Sequence, residues 1–488
     1  MSYEAINGLL PKFVWERFYE LTQIPRPSKK EEKVREYVRD FAKKNKLEFN
    51  EDSAGNIVIK LPATKGFENA PCVVLQGHVD MVCEKNKGTN HNFETDPLNI
   101  RREGDWIKAT GTTLGADNGI GVAAAFAVVN DETAVHGPIE ILCTVDEETG
   151  MTGVNNLQPG FITGKYLLNM DSEEDGTFYV GCSGGQDTAG LLPLKFKNAN
   201  PSHECFEVMI TGLLGGHSGL DIHRGRANAI KMLARLLKEF EGINFEIAEI
   251  KGGSLRNAIP REAEVLIITD KKNEYELQTR IQSFIQKVLL EYKKTDPGVN
   301  VKFEIFPNRP QKVFNEETSN KIIDLIFALP HGVSAMNPDL EGLVETSSNL
   351  AVLAMEADKL RISTSQRSSI ESSKKNIAQS VKSCFNLAGA DITEGDGYPG
   401  WQPDMDAELL KISTGVYKKL FGSEPEIKAI HAGLETGILG SKYPGLQMIS
   451  FGPTIMGAHS PDERINIEDV EKFYKLLKGI VAEIAGKK

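Results

Sequence analysis

Three apolar, strand-like segments of this chain each run directly into acidic residues, and this feature restricts the fold more than any other. The segments are 72–76, 139–145 and 166–170, and the acids that follow them are Asp80, Asp146, Glu147, Glu148 and Asp171. Burial of carboxylates at such positions is unfavourable unless a cation compensates them. In an α/β sheet, ligands bind at the edge formed by the carboxyl ends of the strands. The pattern therefore predicts an α/β sheet with an acid-lined site at that edge.

Strand-like and helical segments alternate over 1–187 and again over 398–488, with a buried helix at 118–130. Such alternation is typical of an α/β sheet that is covered on both faces. Residues 188–397 instead predict a β-α-β-β-α-β unit, followed by a weaker copy of the same order that suggests a structural repeat. We therefore predict one α/β domain interrupted by an inserted α+β domain built of split β-α-β units.

Composition limits the partners and the kind of metal site. The 488 residues include 56 Lys and Arg against 68 Asp and Glu, a net charge of -12 without a basic stripe, so nucleic acid is not an expected partner. We find no secretory signal and no apolar segment long enough to cross a membrane, which favours a cytoplasmic protein. The six cysteines form no C-x-x-C pair and there are only nine histidines, so any bound metal would be held largely by carboxylates.

Two histidines and several acids are candidate metal ligands. His78 and Asp80 are two residues apart at the end of a strand, so their side chains share a face, and a carboxylate behind an imidazole is the usual support of a metal-bound histidine. Asp117, in the segment LGADNGIG, is explained equally well as a helix N-cap. His459, taken alone, is more typical of an ordinary loop. Together, two histidines and three carboxylates suit a dinuclear site for Zn²⁺, Mn²⁺ or Co²⁺.

The segments GHVDMV, GADNGIG, DEETG, NMDSEE and GAHSPDER together resemble the dinuclear zinc peptidases of the M20 family. Their order and spacing fit over nearly the whole chain, and the insertion at 188–397 falls where that family places its lid domain. Within the family, GTTLGADNGIGVAAAFAV, EEDGTFYVGCSGG and GGHSGLDIHRGRANA resemble the aminoacyl-histidine dipeptidases. The resemblance implies a mixed-sheet zinc-peptidase catalytic domain, at 1–187 and 398–488, and an inserted lid domain.

The resemblance also implies five ligands for two divalent metal ions, which we expect to be Zn²⁺, with Co²⁺ or Mn²⁺ as alternatives. His78 and Asp171 would bind one ion, and Glu148 and His459 would bind the other. Asp117 would bridge the two ions.

Two further acids have implied roles in catalysis. Asp80 would orient His78, and Glu147 would be the general base that takes a proton from water. The family commonly has a cis peptide bond after the bridging aspartate, which predicts one between Asp117 and Asn118.

The implied substrate-binding residues lie beyond position 187. His217 would help to bind the carbonyl oxygen of the substrate, and in many relatives this histidine comes from a partner subunit. Asn257 matches the Asn-x-Ile-Pro segment of the family, Arg367 would bind the substrate carboxylate, and Gly433 would contact the substrate through backbone groups. Without the resemblance, His217 and Asn257 would be interpreted as turn residues and Arg367 as a surface cation. The role of His431 stays open.

The function implied is metal-dependent hydrolysis of dipeptides, above all Xaa-His dipeptides such as β-Ala-His, by a homodimer that takes a small peptide as substrate. Alternatives within the family are an aminotripeptidase and a broad-specificity dipeptidase. An alternative from another class is a catalytically inactive, metal-dependent peptide-binding protein. The presence of Glu147 and of a complete ligand set argues against that last alternative.

Overall fold

The computed structural model describes residues 3–487, which divide into two compact units. The first unit comprises the chain up to Gly181, Pro403–Ala429 and the chain from Leu434 onward, and the second comprises Cys182–Gln402 and Ile430–Gly433. The predicted domain boundaries at 187/188 and 397/398 stay a prediction. Within the described residues, no helix is both long enough and apolar enough to cross a membrane.

The N-terminal segment of the first unit alternates helices and strands. After a 3-10 turn at Tyr3–Ile6, its helices are α1 (Lys12–Thr22), α2 (Glu32–Lys44), α3 (Ala116–Asn130), α4 (Glu147–Gly150) and α5 (Thr152–Asn156). Its strands are β1 (Glu48–Glu51), β2 (Ile57–Leu61), β3 (Val73–His78), β4 (Ile100–Glu103), β5 (Trp106–Ala109), β6 (Ile139–Thr144), β7 (Tyr166–Asn169) and β8 (Thr177–Cys182).

The second unit is richer in strands. Its helices are α6 (Ala229–Glu239), α7 (Glu274–Tyr292), α8 (Glu316–Ala328) and α9 (Glu371–Ala388), with 3-10 turns at Ile222–Arg224 and Lys271–Asn273. Its strands are β9 (Gly184–Pro193), β10 (Phe196–Asn198), β11 (Glu204–Thr211), β12 (Gly216–His217), β13 (Phe245–Gly252), β14 (Ala258–Ile259), β15 (Ala263–Thr269), β16 (Asn300–Ile305), β17 (Lys312–Phe314), β18 (Gly332–Met336), β19 (Val344–Glu356), β20 (Lys359–Ser368) and β21 (Asp391–Glu394).

The C-terminal segment returns to the first unit. Its helices are α10 (Glu408–Phe421), α11 (Glu435–Lys442) and α12 (Ile467–Ala485), and its strands are β22 (Glu426–Ile430), β23 (Gln447–Ser450), β24 (Ile455–Met456) and β25 (Arg464–Asn466). Strands β24 and β25 join β5 and β4 in a small antiparallel sheet.

Among the described residues, eight strands form the main sheet of the first unit, in the order β1-β2-β6-β3-β7-β23-β8-β22. Strand β3 is parallel to both of its neighbours, β6 and β7, and β7 is parallel to β23. Strands β1, β2 and β6 pair antiparallel. Every residue of β3, β6 and β7 is buried, as expected of central strands covered on both faces. The sheet is mixed, which confirms the predicted fold class.

Helix α3 lies in the core of the first unit, as the sequence predicts for 118–130. Its only charged residue is Asp117 in the first turn, and every residue from Asn118 to Val128 is buried. A helix that is apolar on all sides is expected in a protein interior. Phe126 of this helix stacks on Phe41 of α2, with 4.2 Å between the ring centroids.

The main sheet of the second unit has the order β16-β11-β15-β13-β19-β20-β9-β21, and β18 pairs with β19. Strands β11, β13, β15 and β16 with helices α6 and α7 form the predicted β-α-β-β-α-β unit. Strands β9, β19, β20 and β21 with helices α8 and α9 repeat the same strand order. The two copies meet where β13 pairs antiparallel with β19.

The first strand of the second copy, β9, is absent from the sequence prediction because its glycines disfavour a strand. It nevertheless pairs with β20 over its whole length, from Gly184 opposite Ser368 to Pro193 opposite Lys359. At Gly190 a Cβ atom would collide with the ring of Phe385 in α9. The glycine is therefore required by packing between this helix and the sheet, which a sequence pattern cannot reveal.

Candidate metal centre and active site

The candidate site of the first unit lies at the carboxyl ends of three adjacent parallel strands. His78 is the last residue of β3, Glu147 and Glu148 follow β6, and Asp171 follows β7. Because β3 lies between β6 and β7 in the sheet, these ends are side by side. The structure therefore brings together the side chains that the sequence pattern places at strand ends.

Asp117 lies between the two histidines. Its Oδ1 atom is 3.1 Å from Nε2 of His78, and its Oδ2 atom is 3.1 Å from Nε2 of His459. Nε2 of His78 is also 3.4 Å from Oδ1 of Asp171, and Nε2 of His459 is 3.1 Å from Oε2 of Glu148. Each oxygen of Asp117 thus faces a different histidine and carboxylate pair, which is the arrangement of a bridging ligand.

The chemistry of these groups fits two divalent cations. His78, Asp117 and Asp171 form one set whose ligand atoms all lie within 4.8 Å of one another, and Asp117, Glu148 and His459 form a second. In residues 3–487, the only basic side chains within 4 Å of Asp117, Glu148 and Asp171 are the two histidines. Oε1 of Glu148 is buried and has no hydrogen-bond partner among these residues. Nitrogen and carboxylate ligands of this kind suit Zn²⁺, Co²⁺ and Mn²⁺.

Proton affinities at the site reflect this crowding of charges. Hydrogen bonds with Asp117 and Glu148 raise the pKa of His459 to about 11. Burial opposes the charged form of His78, but its contacts with Asp171 and Asp117 outweigh that effect and raise its pKa. Burial, together with the charge of Asp117, raises the pKa of Asp171 to about 6. A cation bound between these groups would compensate the negative charge of the carboxylates, so the histidines would not need to be protonated.

Asp117 and Asn118 are joined by a cis peptide bond, which confirms the prediction from the sequence. The side chain of Asn118 donates a hydrogen bond of 2.6 Å to the carbonyl oxygen of Met170, next to Asp171. A Cβ atom at position 77 would collide with Oδ1 of Asn118, so the residue before His78 must be Gly77. The side chain of Asn118 therefore contacts both the segment that carries His78 and the segment that carries Asp171.

Glu147 begins the short helix α4 directly after β6. It belongs to a third set of potential ligands, with His78 and Glu148, whose atoms lie within 4.8 Å of one another. Burial, reinforced by the charges of Asp171 and Glu435, raises the pKa of Glu147 well above its usual value. A carboxylate with increased proton affinity beside a candidate metal site is suited to general-base chemistry.

Asp80 connects His78 to the acidic pair. Its Oδ1 atom lies 3.4 Å from Nδ1 of His78, the nitrogen that faces away from Asp117. The carboxylate also accepts hydrogen bonds from the backbone N–H groups of Glu147 and Glu148, at 3.1 and 3.2 Å, and from the hydroxyl of Ser28. Although burial opposes its ionisation, the contacts with His78 and Ser28 lower the pKa of Asp80 to about 2. Asp80 therefore lies beside the imidazole of His78 and holds the turn that carries Glu147.

Glu463 is a supporting residue that the sequence analysis does not identify. It is 2% exposed, and its two oxygens accept hydrogen bonds of 2.7–3.2 Å from the four N–H groups of residues 114–117. The same turn is held by Arg26, which donates to the carbonyl oxygens of Val79, Asp80 and Gly115. Since Glu463 follows His459 by four residues, it connects the segments that carry Asp117 and His459.

We expect Glu463→Gln to weaken metal binding by about 10–100-fold, as is typical when a group that orients ligands is lost. The amide nitrogen of glutamine cannot accept a hydrogen bond, so two of the four N–H groups lose their acceptor. Competition with a coloured chelator measures the affinity, and Asp462→Asn, at the exposed neighbouring acid, is the matched control. Equal affinities of Glu463→Gln and the wild type would contradict this role.

Glu435 is a second buried acid that the sequence analysis does not identify. Its Oε2 atom accepts hydrogen bonds from the amide of Gln76 at 2.7 Å and from the hydroxyl of Thr144 at 2.8 Å. Burial raises its pKa to about 7. Gln76 and Thr144 are residues of β3 and β6, so Glu435 fixes the strands that carry His78 and the acidic pair.

The substrate-binding candidates lie in the second unit. His217, in β12, pairs with Ala258 of β14, and its Nδ1 atom accepts hydrogen bonds from the N–H groups of Gly219 and Leu220. Burial and the nearby charge of Arg367 lower the pKa of His217, so the neutral imidazole is favoured. With Nδ1 as an acceptor, the neutral ring carries its proton on Nε2, where it is available to a ligand.

Asn257, Arg367 and Gly433 also belong to the second unit. The side chain of Asn257 is exposed, and its carbonyl oxygen accepts a hydrogen bond from the N–H group of Ser218, beside His217. Arg367 is buried rather than the surface cation that its sequence alone would suggest, with 8% of its surface exposed. Gly433 lies against the ring of Tyr398, a residue that the sequence analysis does not identify.

His431, whose role the sequence leaves open, is 5% exposed and its Nε2 atom is 2.7 Å from the hydroxyl of Ser347. Burial and the charge of Arg367 lower the pKa of His431 to about 3, so this ring is neutral. Its carbonyl oxygen packs against Gly219, where a Cβ atom would collide with it. His431 thus has a structural environment of its own within the second unit.

A site at strand ends, with an aspartate between two histidines and a further acid nearby, is typical of a metal-dependent hydrolase. Comparison with known proteins agrees: the chain belongs to peptidase family M20/M25/M40, whose family model matches residues 74–483. It is therefore a metallopeptidase. The chain is 39% identical to the cytosol non-specific dipeptidase of Escherichia coli (strain K12) over 483 residues, covering 99% of both proteins.

Solved structures similar to this chain support the family assignment. An aminoacylhistidine dipeptidase from Vibrio alginolyticus has 40% sequence identity and a TM-score of 0.93, over 98% of this chain and 97% of that one. Aminopeptidase PepT from Bacillus cereus has 17% identity and a TM-score of 0.58, over 98% of this chain and 99% of that one. The second likeness shows the fold alone.

Proposed function

We propose that this chain is a dinuclear, metal-dependent dipeptidase. The observation that carries the proposal is the position of Asp117, whose two oxygens each face a separate histidine and carboxylate pair. The names of the relatives from Escherichia coli and Vibrio alginolyticus, both dipeptidases, support it. The same relatives argue against the aminotripeptidase and the inactive binding protein.

In this proposal His78 and Asp171 would hold one ion, Glu148 and His459 would hold the other, and Asp117 would be shared by both. We expect Zn²⁺, with Co²⁺ and Mn²⁺ as alternatives, because the ligands are imidazoles and carboxylates. Bound divalent ions make water more acidic and polarise a peptide carbonyl. The chain's own contribution is to fix these ligands through Asp80 and Glu463.

Glu147 is the general base. As the attacking water adds to the scissile carbonyl carbon, the carboxylate of Glu147 takes one of its protons. The protonated Glu147 then delivers that proton to the nitrogen of the leaving amine while the C–N bond breaks. The raised pKa of Glu147 suits both steps, since the same group must accept and then release a proton.

Residues of the second unit recognise the peptide. Arg367 binds the substrate carboxylate, a planar anion that a guanidinium can bind through two hydrogen bonds. The Nε2–H group of His217 donates a hydrogen bond to the carbonyl oxygen of the substrate. Asn257 and the backbone of Gly433 supply further polar contacts.

We infer that the substrates are Xaa-His dipeptides such as β-Ala-His. The structural relative from Vibrio alginolyticus, named for this specificity, supports the inference. A broader dipeptidase is the second candidate, which the name of the relative from Escherichia coli favours. We also infer a cytoplasmic homodimer, and the name of the latter relative supports the location.

A peptide panel tests the function. Chelator-treated protein is reloaded separately with Zn²⁺, Co²⁺ or Mn²⁺ and offered β-Ala-His, Gly-His, Leu-Gly and a tripeptide. We expect no turnover without metal, and turnover of the two histidine dipeptides that exceeds that of the others. Comparable rates with Leu-Gly would favour the broad dipeptidase, and absence of turnover with every peptide and metal would contradict the proposal.

A further inference from the structure

Arg367 is a buried cation without an acidic partner. It is 8% exposed, and no carboxylate lies within ion-pair distance of it among residues 3–487. Its Nε atom is buried and has no hydrogen-bond partner within the same range. Because burial of an unpaired charge is unfavourable, such a guanidinium is expected to receive its counter-ion from a ligand.

Tyr398 is the one side chain of the described residues that accepts a hydrogen bond from this guanidinium, at 2.8 Å between Nη1 and the hydroxyl oxygen. A phenol has one proton to donate in addition to the lone pairs with which it accepts. Within residues 3–487, the hydroxyl of Tyr398 donates to no acceptor. Burial raises the pKa of Tyr398, so the hydroxyl keeps this proton at neutral pH.

The backbone and two glycines fix the ring of Tyr398. Its N–H group donates to the carbonyl oxygen of Gly185 at 2.9 Å and its carbonyl oxygen accepts from Gly185 at 3.0 Å, and Gly185 is the partner of Arg367 in the sheet. A Cβ atom at Gly185 would lie 2.5 Å from the ring, and one at Gly433 would lie 2.6 Å from it. The hydroxyl therefore has a defined position beside the guanidinium.

Arg367 and Tyr398 line one cavity of about 490 Å³ within the second unit. Asn257 also lines it, as do two acids, Asp187 and Asp396. A cavity of this size is typical of small-molecule sites, in which a few polar groups fix the orientation of the ligand. The guanidinium of Arg367 and the hydroxyl group of Tyr398 are two adjacent hydrogen-bond donors. This pair of donors suits the two oxygens of a carboxylate.

We propose that Tyr398 is a substrate-binding residue, which orients the guanidinium of Arg367 and donates a hydrogen bond from its hydroxyl group to the C-terminal carboxylate of the dipeptide. The inference rests on the proposed function, in which Arg367 binds that carboxylate. It also gives a second reason for glycine at position 433, since Gly433 leaves room for the ring of Tyr398. The enzyme would then require a free C-terminal carboxylate and discriminate against the corresponding amide.

Tyr398→Phe tests this role because it removes the hydroxyl and keeps the ring. In holoenzyme that also carries Glu147→Gln, calorimetry measures binding of Gly-His and of Gly-His amide without turnover. We expect about tenfold weaker binding of Gly-His, equivalent to about 1.4 kcal/mol, and binding of the amide within about twofold of the parent protein. In the otherwise wild-type enzyme, KM for Gly-His should rise by a similar factor while kcat changes little.

The matched control is Tyr292→Phe, which removes the hydroxyl of a half-buried tyrosine at the end of α7 in the same unit. Equal losses for the acid and the amide, or no loss for either, would overturn the role of Tyr398. A wild-type enzyme that cleaves no peptide would overturn the proposed function instead. The binding experiment still distinguishes acid from amide in that case, so the two failures are separable.

Discussion

Replacement of Glu147 by glutamine should leave two metal ions bound per chain and reduce turnover of β-Ala-His by about 10²–10⁴-fold, the contribution expected of a general base. Glutamine has nearly the same shape, but its amide cannot take a proton from water. The electrostatic support of the site changes little, because the candidate ligands Asp117, Glu148 and Asp171 remain. Steady-state kinetics measure kcat, and elemental analysis of the dialysed protein measures the metal content.

The matched control is Glu132→Gln, at an exposed acid of the same unit, which should retain wild-type kinetics. Full activity of Glu147→Gln would show that another group removes the proton. Loss of one ion would instead identify Glu147 as a ligand, which the grouping of its carboxylate with His78 and Glu148 makes a meaningful outcome. The experiment thus separates catalysis from coordination.

Replacement of Asp117 by alanine should have the second large effect, because one carboxylate contributes to both proposed ion sites. Its oxygens are each 3.1 Å from a different histidine nitrogen, so their removal leaves each ion with a single pair of side chains. We expect the metal content to fall from two ions per chain to less than one. The rate of peptide hydrolysis should fall to the rate measured without enzyme. Asp171→Ala and Glu148→Ala should each lower the affinity for only one of the two ions.

Elemental analysis after dialysis against a weak chelator distinguishes these variants, and thermal unfolding shows whether each is folded. Asp105→Ala, at an exposed aspartate of the same unit, is the control and should retain two ions. The bridging assignment would be wrong if Asp117→Ala kept a full complement of metal. It would also be wrong if Asp117→Ala lost only the same single ion as Glu148→Ala.

The sequence predicts the strand ends well because the signal there is local. A buried apolar strand followed by an acid is unusual without a compensating cation, and this pattern leads to His78, Asp171 and the acidic pair. Supporting residues are different, because their role depends on contacts between distant segments. Glu463 stands among polar residues of a loop, and its acceptor role arises only from N–H groups about 350 residues earlier in the chain.

The same distinction applies to the fold of the second unit. The predicted β-α-β-β-α-β unit has strands rich in apolar residues, whereas β9 begins with glycines and a polar stretch. Its strand conformation depends on pairing with β20 along its full length, which follows it by more than 160 residues. Tyr398 is likewise defined by its neighbours, since nothing in the sequence joins it to Arg367 and Gly185.

The order of strands in the first unit has a consequence for the growing chain on the ribosome. Strand β23 lies between β7 and β8, although residues 447–450 are synthesised long after both of its neighbours. The second unit is therefore translated in full before the central sheet of the first can be completed. His459 and Glu463 emerge still later, so a nascent chain lacks part of the candidate metal site. The candidate metal site is therefore completed only after the second unit has been synthesised.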